Sequence, residues 1–411
     1  MLKAYKYTIV PTPAQQEQLA QHFGCARYVY NWVIEQRKTH YEKTGKTLSK
    51  RALQDKLVHE EKKTSPWLGE VNSQSLLASL SHIVDAYQRF FKGLASFPRY
   101  KSRKNNWQSY HCPQHVKVNF AKGQIQLPII GWVKAKLHRE FVGQIKTCTI
   151  KKTPHGTYQI AVLVENHALL PETKPIRENT TDRVDVGLVH FSITSEGKKR
   201  DNPRFLNQSL PKLRQLSQAF SRKKKGSNNR EKYRLMVAKK HYQVGKQREH
   251  SLHEAANELL SDNQTVTIAL EDLHIKGMIK NRKLSRHISD VSWSRFAKSL
   301  EYKSQWKGNN VIYCNRFAPS SKQCTCGYLN KSLTLADRTW KCPECYQHHD
   351  RDILAANNIK QFALAEADGQ SACVKPFPHD NACQRKRYGQ RSDIKSDGSQ
   401  EAPTRIFQAL L

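Results

Sequence analysis

The chain opens with Tyr5, Tyr7 and Ile9 alternating with Lys6 and Thr8, the two-residue period of a half-buried strand. Pro11 and Pro13 end it, and Thr12 or Pro13 starts a helical stretch that runs on through Ala26, Val29 and Val33. A stronger stripe follows: Leu76, Leu77, Leu80, Ile83, Val84, Tyr87, Phe91 and Leu94 fall on one helical face. Residues 11–110 therefore read as a helical module inserted after one strand. From Val116 the period changes to that of strands, at Val116–Phe120, Ile125–Leu127, Val133–Leu137, Ile145–Ile150 and Thr157–Val164, with turns at Gly123 and Gly156. Short strands with glycine turns predict a small barrel or sandwich over 111–168, with the strand of residues 1–10 belonging to it.

Residues 169–181, polar and carrying Pro171 and Pro175, read as a linker. Beyond it, Val184–Leu188 is a strand continued by a hairpin through Phe191–Thr194, turning at Glu196-Gly197. A long helical stretch is predicted from about Pro211 to Leu260, ending on the stripe of Leu252, Ala255, Ala256, Leu259 and Leu260. Arg222-Lys223-Lys224-Lys225, followed by Gly226-Ser227-Asn228-Asn229, interrupts it as a loop between two helices. Thr265–Leu270 is a β-branched, apolar run typical of a strand buried on both faces, and it delivers Glu271 at its end. Val311–Tyr313 reads as a further strand. Ser320–Gln347 has little periodicity and four cysteines. Asp352–Ala363 returns to helix, and the polar residues 369–411 are expected to be disordered.

Length and charge narrow the partners. A chain of 411 residues suits two or three domains. Lys and Arg number 69 against 35 acidic residues, a formal net charge of +34. Such an excess repels itself unless a polyanion neutralises it, which points to nucleic acid and to salt-dependent binding. Residues 211–250 alone hold thirteen Lys/Arg and two Glu. Arg222, Lys223, Lys224 and Lys225 are read as part of a phosphate-tracking surface in preference to a merely solvated face. No apolar run reaches the ~20 residues that span a bilayer, and the first ten residues lack a signal-peptide core. The expectation is a cytoplasmic, nucleic-acid-associated protein with neither a membrane nor a small-molecule substrate.

Three carboxylates stand out by position. Asp185 sits in the apolar strand Val184-Asp185-Val186-Gly187, Glu271 closes Ile268-Ala269-Leu270-Glu271, and Asp352 starts the Ala-rich helix Asp352-Ile353-Leu354-Ala355-Ala356. A carboxylate beside a buried strand needs compensation, and magnesium, a hard cation that takes oxygen ligands, provides it. Acids converging from separate elements can hold two such ions for phosphodiester cleavage. Alternatively Asp352 is a helix N-cap and Glu271 pairs with one of the many lysines. The cysteines are more specific. Cys324 and Cys326, then Cys342 and Cys345 after fifteen intervening residues, fit a tetrahedral structural zinc ribbon. The first pair is CxC where CxxC is usual, and the short spacer is expected to hinder ligation by both thiolates. His348 or His349 could then substitute for a displaced cysteine.

Taken in order, several runs make the chain resemble the TnpB (OrfB) family of transposon-encoded proteins, relatives of the type V CRISPR effectors. They are Gly24-Cys25-Ala26-Arg27-Tyr28-Val29-Tyr30-Asn31-Trp32, Phe97-Pro98-Arg99-Tyr100-Lys101-Ser102, Pro128-Ile129-Ile130-Gly131-Trp132-Val133-Lys134, Val184–Leu188, Leu270-Glu271-Asp272-Leu273, Trp293-Ser294, Leu300-Glu301-Tyr302-Lys303, Pro319-Ser320-Ser321-Lys322, the cysteines, and His349-Asp350-Arg351-Asp352. The resemblance covers nearly all the chain except the tail. It implies an α+β multidomain protein: a helical recognition module (11–110) inserted in a wedge-like β-barrel (1–10 and 111–168), then an RNase H-like (RuvC) α/β nuclease (182–319 and 348–368) interrupted by a zinc-binding insert (320–347). It implies an RNA-guided, magnesium-dependent DNA endonuclease whose partners are a transposon-derived guide RNA and double-stranded target DNA. Asp185, Glu271 and Asp352 become the RuvC carboxylates, with Asp350 the less favoured third ligand. Guide pairing also suits the composition, since the protein then needs backbone contacts more than base readout. Three positions depart from the family: Leu354 where many relatives have Asn, Glu254 in a helix where they often carry Lys, and Arg183 where Gly precedes the first catalytic Asp. The CxC pair and Leu354 keep a guide-directed repressor with weak or no cleavage as a second reading. A transposase proper is a third, because strand transfer also uses acidic triads.

Overall fold

A computed structural model of the chain describes residues 1–103, 107–194, 197–261, 264–334 and 337–367. The tail expected to be disordered, 369–411, lies outside the described residues, as does Glu196 of the expected hairpin turn. Seven strands make the first sheet: β1 (Leu2–Val10), β2 (Gln108–Cys112), β3 (Lys117–Asn119), β4 (Gln124–Leu127), β5 (Gly131–Lys136), β6 (Gln144–Lys152) and β7 (Tyr158–Glu165). Their order is β2-β6-β7-β1-β5-β4-β3, antiparallel throughout. The expected strands are all present, and β2 is an addition that periodicity did not predict. The N-terminal strand does join this sheet, and at its centre. The expected closed barrel is not found: among the described residues β2 and β3 remain edges. The reason lies in what fills the concave face. Leu19, Phe23 and Ala26 from the following helix enter the same core as Tyr7, Ile9, Val133, Ile150 and Val162, in place of a closing strand pair.

That helix is α1 (Pro13–Thr44), begun by a capping box between Thr12 and Gln15 and ended by Gly45 in the left-handed region at φ 67°. After it come α2 (Lys50–Lys56), a π-turn at Leu57–Glu61, α3 (Lys62–Thr64), a 3-10 turn at Pro66–Glu70 and α4 (Ser73–Phe91). Val29 and Val33 of α1 pack on Leu76, Leu80 and Ile83 of α4, with Leu53, Leu57 and Leu68 between them. The predicted stripe overruns the helix. α4 stops at Phe91, which is exposed, and Leu94 beyond it is exposed too.

The second sheet is built from β8 (Thr181–Val186), β9 (His190–Thr194), β10 (Lys199–Asp201), β11 (Thr267–Glu271) and β12 (Asn310–Cys314), in the order β10-β9-β8-β11-β12. β9 runs antiparallel to both β8 and β10, whereas β8, β11 and β12 are parallel. Between β10 and β11 the helices α5 (Phe205–Ser221) and α6 (Asn228–Leu259) form a hairpin. The expected start at Pro211 is too late: α5 begins six residues earlier and carries Pro211 inside it. After β11 come α7 (Ile275–Met278), α8 (Ser285–Val291) and α9 (Trp293–Lys307). A small hairpin of β13 (Thr339–Lys341) and β14 (His348–Asp350) precedes α10 (Arg351–Ala367). β11 is buried on both sides, as its composition predicts. Ile268 and Leu270 face α6 and α9 through Ala256, Phe296 and Leu300, while Ala269 packs with Ile359 and Ala363 of α10. The expected linker is not free of the body. Lys174 N–H donates to the Gly308 carbonyl at 3.0 Å, and a Cβ at Gly308 would stand 2.5 Å from the Glu172 oxygen.

Candidate active site and thiolate centre

Parallel strands carry their C-terminal ends to one edge of the sheet, where sites of open α/β folds assemble. The β8–β11 ladder pairs Thr181 with Thr267, Asp182 with Ile268 and Arg183 with Ala269. The ladder ends there; carried two residues further, the same offset would bring Asp185 level with Glu271, near the ends of neighbouring strands. Both are half-buried. Glu271 has no ion pair with any described Lys or Arg, so the lysine alternative does not apply. Among the described residues its side chain has one hydrogen-bond partner, Ser320, whose hydroxyl donates to Oε1 at 3.1 Å. Burial pushes the Glu271 carboxyl upward in pKa, and the Ser320 bond only partly opposes that. Across the strand pair its register partner is Cys314, whose thiol is pushed up to about 12 by burial, then by the charges of Glu271 and Glu366. The thiol stays protonated and offers no cation. A divalent ion at Glu271 would supply what these neighbours lack, and carboxylate oxygens suit magnesium.

The third candidate, Asp352, is the second residue of α10, and its side chain lies outside the described residues. The N-cap alternative belongs to its neighbour. Asp350 Oδ1 accepts the Ile353 N–H at 3.1 Å, so Asp350 caps the helix. α10 itself packs across β8, β11 and β12.

The four cysteine sulfurs lie within 4.8 Å of one another. Cys324 and Cys345 Sγ are 3.5 Å apart, and Cys326 and Cys342 Sγ are 3.6 Å apart. Zinc–sulfur bonds of about 2.3 Å at tetrahedral angles put sulfurs about 3.8 Å apart, so the donor set fits a zinc ion. The anticipated hindrance at the CxC pair is absent. In the second knuckle Tyr346 N–H donates to the Cys342 carbonyl and Cys342 N–H to that of Gln347, with Tyr346 at φ 57°. The first knuckle repeats this pattern one residue shorter: Gly327 N–H donates to Cys324, Cys324 N–H to Tyr328, and Gly327 sits at φ 97°. Glycine adopts that conformation without a Cβ clash, which lets the tighter turn present both thiols. No histidine replaces a cysteine. His349, 6 % exposed, instead brings Nε2 to 3.0 Å from Cys324 Sγ. Burial raises the Cys324 thiol, but the Cys326 N–H, His349 and the neighbouring thiols outweigh it and hold it near 6. A thiolate is the form that binds metal.

The basic run lies at the tip of the α5–α6 hairpin. Arg222, Lys224 and Lys225 are exposed, Lys223 is half-buried, and none is ion-paired with a described carboxylate. The loop keeps its shape through Arg230, whose Nη1 donates to the carbonyls of Phe220 and Lys223. A cavity of about 700 Å³ lies elsewhere, on the helical module between Tyr28, Trp32, Trp67 and Tyr100, and no candidate carboxylate or cysteine lines it. Ser320 and Asn358 were assigned no role from the residues alone. Ser320 stands in a family motif, whereas Asn358 is one polar residue in an Ala-rich helix.

Three family profiles match: residues 1–46 the one described as "Helix-turn-helix domain", 159–282 "Probable transposase", and 293–359 "Cas12f1-like, TNB domain". In this structure the first of these stretches is β1 and the whole of the single helix α1. A Streptomyces pristinaespiralis protein named "Putative RNA-guided DNA endonuclease" is 33% identical over 90% of this chain and 90% of its own length. The chain belongs to the TnpB (OrfB) family. A second relative, the Escherichia coli K12 protein named "Putative RNA-guided DNA endonuclease InsQ", is 26% identical over 90% of this chain and 94% of its own. Among solved structures, a chain of the Cas12f1-sgRNA-target DNA complex aligns with a TM-score of 0.52 at 11% identity, covering 88% of this chain and 98% of that one. That likeness extends the family's mixed α/β fold to both sheets. Among the described residues no helix is long and apolar enough to cross a membrane.

Proposed function

We propose that this chain is a transposon-encoded, RNA-guided DNA endonuclease that hydrolyses phosphodiesters at a RuvC-type site formed by Asp185, Glu271 and Asp352. The observation that carries the reading is the parallel β8–β11 register, which places Asp185 and Glu271 near the C-terminal ends of adjacent strands. The strand order β10-β9-β8-β11-β12, in which β8, β11 and β12 run parallel, supports the RNase H-like reading. The names of the two relatives support the RNA-guided endonuclease.

In this reading the three acids hold magnesium, and a bound pair of such ions would activate the attacking water and stabilise the leaving oxygen. The chain's own part is to orient the acceptor oxygens. Ser320 fixes one oxygen of Glu271, and the rigid strand ends fix the separation of the carboxylates. Cys324, Cys326, Cys342 and Cys345 hold a structural zinc ion in the insert 320–347. Arg222, Lys223, Lys224 and Lys225 track phosphates, with the wider +34 charge holding a transposon-derived guide RNA and the target duplex. The helical module, the sheet of β1–β7, and the nuclease 182–319 and 348–368 act as recognition, wedge and cutting parts.

The test is to purify the chain, sequence the RNA that accompanies it, and assay cleavage of a guide-matched duplex in magnesium. Cutting that requires both the RNA and magnesium is expected. Equal, specific cutting by an RNA-free preparation overturns the guided reading, and guided binding without cleavage turns the protein into a repressor.

A further inference from the structure

The cysteine centre is tied both to the segment that carries Asp352 and, through side-chain contacts, to Glu271. The first tie lies at the start of α10. Leu354, 3 % exposed, packs in one apolar cluster with Cys324, Trp340 and Cys342. In the turn before it, Arg351 Nη1 donates to the carbonyls of Thr334 and Asp337 at 3.1 and 3.3 Å. Both anchors flank Asp352. The second tie lies one turn further on. Asn358, 8 % exposed, donates through Nδ2 to the Ser320 carbonyl at 2.7 Å and the Gln323 carbonyl at 2.6 Å. The loop it grips is itself a closed turn, since Lys322 and Gln323 N–H both bond to the Pro319 carbonyl. One end of that loop donates the Ser320 hydroxyl to Glu271, and the other end runs directly into Cys324. Both amide hydrogens of Asn358 are used, so the amide has a single orientation that satisfies the loop.

We infer that Ser320 and Asn358 are positioning residues for Glu271, and that the thiolate centre acts through them to set divalent-cation affinity at the carboxylate site. The inference rests on the reading of Glu271 as a cation ligand. The physical reason is torsional. A Glu carboxylate turns readily about its last bond, and one fixed donor on Oε1 leaves the other oxygen aimed in one direction. The donor is only as fixed as its loop, and the loop is held at one end by Asn358 and at the other by Cys324. Partners that orient a metal ligand typically contribute 10- to 100-fold in metal affinity.

The experiment measures Mn²⁺ binding by electron paramagnetic resonance to the full chain freed of RNA, with zinc content and amide exchange of residues 318–324 followed in parallel. The variants are Ser320→Ala, Ser320→Thr, Asn358→Asp, Cys342→Ser, Glu271→Gln and the Ser320→Ala/Cys342→Ser double. Ser320→Ala is expected to weaken Mn²⁺ about 10-fold or more while keeping its zinc, and Ser320→Thr, which keeps the hydroxyl, to bind like wild type. Asn358→Asp replaces the donors with acceptors facing two carbonyls, so it should weaken Mn²⁺ and speed exchange over 318–324. Cys342→Ser should weaken Mn²⁺ too, and the double variant should be no worse than the weaker single, because both act on one path. Wild-type affinity in Ser320→Ala, or additive losses in the double variant, overturns the inference while leaving the functional reading intact. A wild-type protein with no Mn²⁺ site sensitive to Glu271→Gln overturns both.

Discussion

The two candidate metal centres are assembled in opposite ways. The thiolate centre comes from 22 consecutive residues, Cys324 to Cys345, whose two knuckles are each shaped by their own backbone hydrogen bonds. The proposed carboxylate site draws on positions 185, 271 and 352, far apart in sequence and carried by two paired strands and the helix packed across them. Cysteine sulfurs already stand at zinc-like separations, whereas Glu271 is a buried acid with a single hydroxyl for company. The first centre organises its surroundings, and the second is organised by its surroundings.

The sharpest way to break the comparison is to remove a thiolate. Cys342→Ser should take bound zinc from about one equivalent to near none, because metal-binding energy of roughly 10–16 kcal/mol is folding energy for such a site. Metal analysis together with loss of exchange protection over 324–349 reports it. Zinc retained in full would mean the knuckles do not hold it. Next in size is Asp185→Ala, which should lower cleavage about 1,000-fold or more while nucleic-acid binding changes by less than about twofold. Glu271→Ala and Asp352→Ala should match it, the triple variant should be scarcely worse, and Asp350→Ala should keep clear activity because Asp350 caps α10. Cleavage by Asp185→Ala at near wild-type rate would remove the RuvC mechanism.

A third, milder change concerns the hairpin tip. Replacing Arg222, Lys224 and Lys225 together by Ala should weaken nucleic-acid binding and reduce its salt slope by about one per charge removed. Gel shifts at several salt concentrations measure the slope, and an unchanged slope would make this tip a solvated face. The smallest effect sharpens the contrast in stability. The Glu271 carboxyl is raised in pKa by burial, so folding disfavours its charge. Below the usual Glu range both folded and unfolded chains hold the proton and no penalty exists. As pH climbs through that range the unfolded chain ionises first, and the penalty grows until the folded carboxyl has ionised as well. In magnesium-free buffer at neutral pH, Glu271→Gln should therefore raise stability by about 1 kcal/mol, seen as a higher Tm, with the gain vanishing in mild acid. A lower Tm at neutral pH would show that the charge is compensated without a metal ion.

Much of this was legible before any coordinates. The period of Tyr5, Tyr7 and Ile9 identified β1, the stripe from Leu76 to Tyr87 identified α4, and the apolar run before Glu271 identified a strand buried on both faces. The failures have local causes. β2 escaped because Gln108–Cys112 is short and largely polar. The start of α5 was placed too late because proline usually marks a first turn, and here Pro211 lies within the helix. The packing of Leu354 against the cysteine cluster was not legible either, because the two lie in separate elements.

What the amino-acid order determined by itself is whatever depends on neighbours along the chain: helix stripes, knuckle spacing, the excess of positive charge, and the motifs that mark the family. What only the tertiary structure decided depends on partners far apart in sequence. The centrality of β1 in its sheet, the open edges where a barrel was expected, the adjacency of the strands that carry Asp185 and Glu271, and the Asn358–Ser320–Glu271 contacts all belong to that class. Periodicity encodes which face of an element is apolar. It does not encode which other face will cover it, because that choice is made by packing among elements that hold the same pattern.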